Sequence, residues 1–117
     1  MIRKFRGINL SSKSPEAMAR FYNEKLEIPI LDKNDNDYDG VELGYDINEP
    51  HIWIWDENSW GKSTTGIVTL VFECDNHEKT YEELKQRGVV LAPPKVAVWG
   101  GKELHVKDPD GNIVLIL

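Results

Sequence analysis

The sequence predicts an α+β fold built from two βαβββ modules, and three observations carry that expectation. The order strand, helix, three strands can be read twice along the 117 residues. Each helical segment has a single apolar stripe, and the turn-forming run Asp108-Pro109-Asp110-Gly111-Asn112 sits between two apolar strands. The first module spans about residues 1–58 and the second about 66–117. A chain of this length is expected to be one domain, 1–117, because it is too short for two independent cores. With helices on one side of each mixed sheet, the other sides are expected to curve around a central cavity, within the chain or against a second subunit.

Ile2 to Leu10 reads as the first strand, interrupted by the polar run Ser11 to Ser14. Ser14 is a good N-cap, Pro15 suits a first helical position that has no use for an N–H, and Glu16 suits the positive end of the helix dipole. Ala17 with Phe21, and Met18 with Tyr22, make a stripe at i, i+4 spacing, and Pro29 bars the helix from continuing. Ile30 to Glu57 reads as three strands separated by the turn-forming runs DKNDNDYDG and DINEP. Asn58 to Thr65 reads as a linker. Gly66 to Cys74 is then a strand, Asp75 the N-cap of a helix running to Gln86, and Gly88 its terminator, with Tyr81 and Leu84 facing inward. Val89 to Val98, Lys102 to Lys107 and Asn112 to Leu117 supply the last three strands.

Twenty acidic against 14 basic residues give a formal charge of −6, which repels nucleic acid and anionic lipid. No apolar stretch approaches the roughly 20 residues needed to cross a bilayer, and MIRKFRGINL lacks the apolar core of a signal peptide. The single cysteine, Cys74, has no intramolecular disulfide partner, and beside the carboxylate of Asp75 it is not an activated thiol. These features point to a reducing, cytoplasmic compartment, with no nucleic-acid or membrane partner. No phosphate loop, dinucleotide fingerprint or serine elbow is present, so no organic cofactor is expected.

From Val68 to Leu117 a series of features occurs in a specific order: the helix Asp75-Asn76-His77-Glu78-Lys79-Thr80-Tyr81-Glu82-Glu83-Leu84 ending in Gly88-Val89, then Pro93-Pro94, Trp99-Gly100, and the Asp108–Asn112 hairpin. In the first half, Ser14-Pro15-Glu16-Ala17-Met18-Ala19-Arg20-Phe21-Tyr22 is followed by Leu26. Together these resemble the glyoxalase, bleomycin-resistance and extradiol-dioxygenase (vicinal-oxygen-chelate) superfamily over nearly the whole chain. The resemblance implies a homodimer with a cleft for a small molecule. In metal-dependent members it also implies His, Gln or Glu ligands on inward-facing strand positions, open to substrate oxygens. Here those positions fall on Gly7, on Val68, near Trp53 or Trp55, and on Leu115, none of which offers a ligand. No metal is therefore expected.

Trp53 and Trp55 alternate with Ile52 and Ile54, so the tryptophans share one sheet face. On the ligand-bearing face, they would line a pocket for a flat or cationic molecule. Asn9, two residues after Gly7, is the polar residue expected beside them, and Trp99 resembles the family's loop tryptophan at the pocket mouth. Glu103 and His105, at strand spacing i, i+2, share a face and complete the expected ligand-binding set. The main expectation is metal-independent binding of a small molecule, aromatic or cationic. The alternative is a lyase, isomerase or dioxygenase-type enzyme with a displaced site at His51 and His105; a third possibility is a regulatory dimer with a vestigial cavity.

Overall fold

The alternation Ile52-Trp53-Ile54-Trp55 sorts one strand into an apolar side and an aromatic side, and the first sheet is organised around it. The computed structural model describes residues 1, 3–34, 37–63 and 66–117; expectations that touch Ile2, Asp35, Asn36, Thr64 and Thr65 lie outside the described residues. The described chain forms two compact units, Met1–Thr65 and Gly66–Leu117.

The first unit holds β1 (Gly7–Ser12), α1 (Pro15–Arg20), β2 (Ile30–Asp32), β3 (Val41–Leu43), β4 (His51–Asp56) and a helical turn, α2 (Glu57–Trp60). Its sheet has the order β1-β4-β3-β2, with β1 parallel to β4 and the other neighbours antiparallel. Ile52 and Ile54 are buried together with Leu10, Val41 and Leu43, and with Met18, Ala19, Phe21 and Tyr22 from the helical segment. The inward stripe thus includes Ala19, while Ala17 is exposed, because α1 passes directly into a π-helical turn, Phe21–Lys25, that shifts the facing residues. The helix stops before Pro29 can act: Glu27 adopts φ +58°, and the Ile28 N–H reaches back to the Tyr22 carbonyl at 3.0 Å.

Three local expectations are corrected here. β1 starts at Gly7 and continues through Ser11 and Ser12, because all six residues pair with β4. The polar side chains are accommodated: the Ser11 N–H donates to Ser63 Oγ at 2.9 Å and the Ser63 N–H donates to Ser11 Oγ at 2.8 Å. Ser14 occupies the N-cap position of α1 without a capping side-chain bond, and its own N–H donates to Ser12 Oγ at 2.9 Å. The linker also carries structure, since Asp56 caps α2 by accepting the Asn58 N–H at 2.9 Å.

The second unit holds β5 (Thr69–Phe72), α3 (His77–Gln86), β6 (Lys95–Val96), β7 (Lys102–Lys107) and β8 (Ile113–Ile116), in the order β5-β8-β7-β6 with β5 parallel to β8. Leu70, Leu84, Leu104, Val106, Val114 and Ile116 make its core. Asn76, and not Asp75, caps α3, accepting the Lys79 N–H at 2.8 Å. The long strand expected over Val89 to Val98 is reduced to two residues, because Pro93 and Pro94 have no N–H to give to a ladder. Gly88 ends α3 at φ +83°, as its place after the apolar stripe predicts.

The Asp108–Asn112 turn does more than reverse the chain. Buried Asp108 accepts the N–H groups of Asp110 and Asn112 through Oδ1 and the Asn112 amide through Oδ2, all between 2.8 and 2.9 Å. Asn112 Oδ1 in turn accepts the Val68 N–H at 3.1 Å, fastening the turn to the start of β5. Both units are therefore mixed α+β sheets with helices, and among the described residues no helix is long and apolar enough to cross a membrane.

Two variants test this packing by denaturant unfolding. Ile54→Ala, at a fully buried site, should cost about 2–5 kcal/mol. Asn112→Ala should cost about 1–3 kcal/mol, because it strands the Val68 N–H and removes the amide donor to Asp108 Oδ2.

Candidate ligand-binding site

The sheet face opposite α1 in the first unit gathers side chains from three strands. Asn9 and Glu42 both stand opposite Trp53, Ser11 stands opposite Trp55, and Gly7 stands opposite His51. Period-two alternation places these residues away from the isoleucine core, and Trp53 and Trp55 remain partly accessible. The Trp55 indole Nε1–H donates to Asn9 Oδ1 at 3.2 Å. That contact holds the Asn9 amide, whose NH2 donors have no partner among the described residues. Trp55 lies against Gly40 and meets Trp60 edge-on, with 6.0 Å between ring centroids. Trp60 Nε1–H donates to Asp39 Oδ2 at 2.6 Å, and Asp39 Oδ1 accepts the Asp56 N–H at 2.9 Å.

Trp53 has two neighbours of its own. The His51 ring lies 4.2 Å away, tilted by 40°, and the Arg6 guanidinium carbon lies 5.5 Å from the indole centroid. The His51 side chain is 0% exposed. Its Nδ1 is 2.7 Å from the Glu49 carbonyl and its Nε2 is 2.8 Å from Glu42 Oε1. A carbonyl can only accept, so Nδ1 donates to Glu49, while Nε2 faces the Glu42 carboxylate; neither ring nitrogen is open to a metal or a substrate. Glu42, Arg6 and Asp39 were not marked by the sequence reading. The signal available for Glu42 was its place between buried Val41 and Leu43, which sends it to the tryptophan side.

In the second unit Trp99, Glu103 and His105 come together as the spacing suggests. Trp99 Nε1–H donates to Glu103 Oε2 at 2.8 Å, and His105 Nε2 lies 3.1 Å from Glu103 Oε1. The Trp99 ring folds back over Gly101, where a Cβ would collide with it. The hydrogen bond from Trp99, then that from His105, hold the Glu103 carboxyl below the usual glutamate range. His105 is half-exposed, so this carboxylate–imidazole pair is open to solvent.

The positions where the resemblance would place metal ligands do not fit an ion. Gly7 has φ +135°, and a Cβ there would lie 1.9 Å from the His51 carbonyl oxygen, so this backbone admits no side chain of any kind. Trp53, Trp55 and Leu115 offer no lone pair suited to a divalent ion. Val68 precedes β5 in phase with buried Leu70, whereas Thr69 and Val71 alternate to the other face and pair with Ile113 and Leu115. Among the described residues no three His, Cys, Asp or Glu side chains converge as a metal-binding group. His77, at the start of α3, is half-buried, and its Nε2 is buried with no hydrogen-bond partner among the described residues.

Comparison with known proteins gives the following. Residues 5–116 match the family model described as Glyoxalase/Bleomycin resistance protein/Dioxygenase superfamily. A 50-residue stretch is 40% identical to the uncharacterized protein YetH of Bacillus subtilis (strain 168), covering 42% of this chain and 41% of that protein. Solved structures of the same fold include a lactoylglutathione lyase from Agrobacterium tumefaciens, with TM-score 0.77, 12% identity, and coverage of 99% of this chain and 93% of that one. TnmS3, an antibiotic binding protein from Streptomyces sp. CB03234, aligns with TM-score 0.76 and 20% identity over 98% and 94%. A glyoxalase-related enzyme from Fulvimarina pelagi aligns with TM-score 0.73 and 25% identity over 98% and 87%.

The electrostatics of Glu103 can be checked by carboxyl 13C NMR. Its folded-state pKa is depressed, so the bonds from Trp99 and His105 are intact above the ordinary glutamate pKa of about 4.3 and are lost as pH falls through the lower folded-state value. Trp99→Phe should move the midpoint upward. Separately, Gly7→His should not create a metal site; it should lower the melting temperature, because the added Cβ separates β1 from β4.

Proposed function

The chain belongs to the Glyoxalase/Bleomycin resistance protein/Dioxygenase superfamily, and on that premise we propose that it binds a flat small molecule, without a metal ion, on the tryptophan side of its first sheet. The observation that carries this reading is the pairing of Trp53 and Trp55 on one face of β4, with unpartnered amide donors of Asn9 beside them. Two indoles on one face supply large apolar area with little conformational freedom to lose, and a nearby amide gives orientation. TnmS3, an antibiotic binding protein, is one use of the same fold. Trp99, Glu103 and His105 form a second group of ligand-contacting residues, where an indole beside a carboxylate suits a positively charged substituent. The lone Cys74 fits a cytoplasmic setting, and a two-fold homodimer is the assembly most common for such a protein.

A second reading, acid–base catalysis, is favoured by one observation: Glu103 is held ionised next to a half-exposed His105, as a polarised pair would be. A displaced metal site at His51 has no such support, because both of its ring nitrogens are already engaged.

Titrating the chelator-treated protein with planar aromatic compounds, followed by tryptophan fluorescence, separates these readings. Saturable quenching that survives chelator, and weakens about tenfold or more (~1.4 kcal/mol or above) in Trp53→Ala or Trp55→Ala, is the expected result. Binding lost with chelator and restored by Ni or Zn would replace the proposal with a metal site.

A further inference from the structure

We infer that the tryptophan face of the first sheet selects planar aromatic anions, such as aryl carboxylates, over aromatic cations, with Arg6 as the residue that sets the preference. This rests on the reading of that face as a ligand site and names the ligand class it takes. Arg6 is exposed, and its guanidinium lies over Trp53, 5.5 Å from the ring centroid. No carboxylate pairs with Arg6 among the described residues.

Glu42, opposite Trp53, and Asp39, bonded to Trp60, both have hydrogen-bond partners within the protein. Glu42 Oε1 lies 2.8 Å from Nε2 of the buried His51. Asp39 accepts from the Trp60 indole and from the Asp56 N–H. The face therefore carries an exposed guanidinium with no ion pair among the described residues, together with the donor amide of Asn9 and two indoles. Arg6 and the Asn9 amide offer donors with no acceptor among the described residues, and a ring bearing an anionic oxygen supplies one. A cationic ring would meet repulsion from Arg6 at the same indole. Physiological salt screens the part of the overall charge of −6 that lies more than about 8 Å from the face.

The guanidinium's planar fork matches a carboxylate with two parallel bonds, a geometry that a lysine cannot reproduce. Arg6 is thus a specificity-determining residue, distinct from the indoles that supply stacking area.

Isothermal titration of the full chain with 2-naphthoate and with 2-naphthylmethylammonium, probes that share a ring and differ in charge, tests this directly. Naphthoate should bind roughly tenfold more tightly, as charge-assisted bonds to Arg6 imply. Arg6→Gln, a change at an exposed position, should bring the two affinities within about twofold, and Trp53→Ala should weaken both probes. Equal or tighter binding of the ammonium probe to the wild-type chain, or an unchanged ratio in Arg6→Gln, overturns the anion preference while leaving the site standing. Failure of both probes to bind overturns the tryptophan-face reading and this inference together.

Discussion

The parallel pairing of β1 with β4 is the constraint on which the first unit depends. At its start the two backbones approach so closely that residue 7 has to be glycine: the backbone there is in the positive-φ region, and the carbonyl of His51 fills the space a side chain would need. From that contact the register follows residue by residue, Asn9 opposite Trp53 and Ser11 opposite Trp55. The same pairing seats Ile52 and Ile54 on the helix side, so the core and the aromatic face are two outcomes of one alignment. A position that family resemblance would give to a metal ligand is instead used to bring two strands together.

His51 and Glu42 show how a polar pair can be structural within such a face. The histidine is sealed from solvent, bonded at both ring nitrogens and laid against Trp53. Burial of either group alone would carry a large desolvation penalty, and each offsets that of the other. The second unit solves a similar problem at the surface, where Glu103 gathers Trp99 and His105 across one strand and its hairpin. The two arrangements differ in access, and access decides which of them has groups available to a ligand.

Much of the architecture was legible because it lies in local patterns. The isoleucine and tryptophan alternation, the i, i+2 relation of Glu103 and His105, the Gly88 helix stop and the Gly111 turn are all short-range, and each is found where its spacing puts it. What could not be read depends on partners distant in sequence. Ser11 and Ser12 look like a strand break until Ser63, 52 residues from Ser11, supplies the bonds that let the strand continue. Glu42 belongs to the aromatic face through the β3–β4 register, which no local pattern records. Asp75 and Asn76 are both good caps, and sequence alone gives no reason to choose between neighbours. The burial of His51 likewise depends on Glu49 and Glu42 closing around it.

Ser63 has a consequence for the chain's behaviour in crowded solution. β1 is the outermost strand of its sheet, and an exposed strand rim with idle peptide groups invites a foreign strand to dock and propagate. Ser63 occupies that rim at three points: it receives the Ser11 N–H on its hydroxyl, gives its own N–H to the Ser11 side chain, and turns its hydroxyl proton toward the Asn9 carbonyl at 3.2 Å. The short stretch leaving the helical turn α2 thereby acts as a hem on the sheet, covering the Ser11 N–H and the Asn9 carbonyl, two groups to which a foreign strand would otherwise bond.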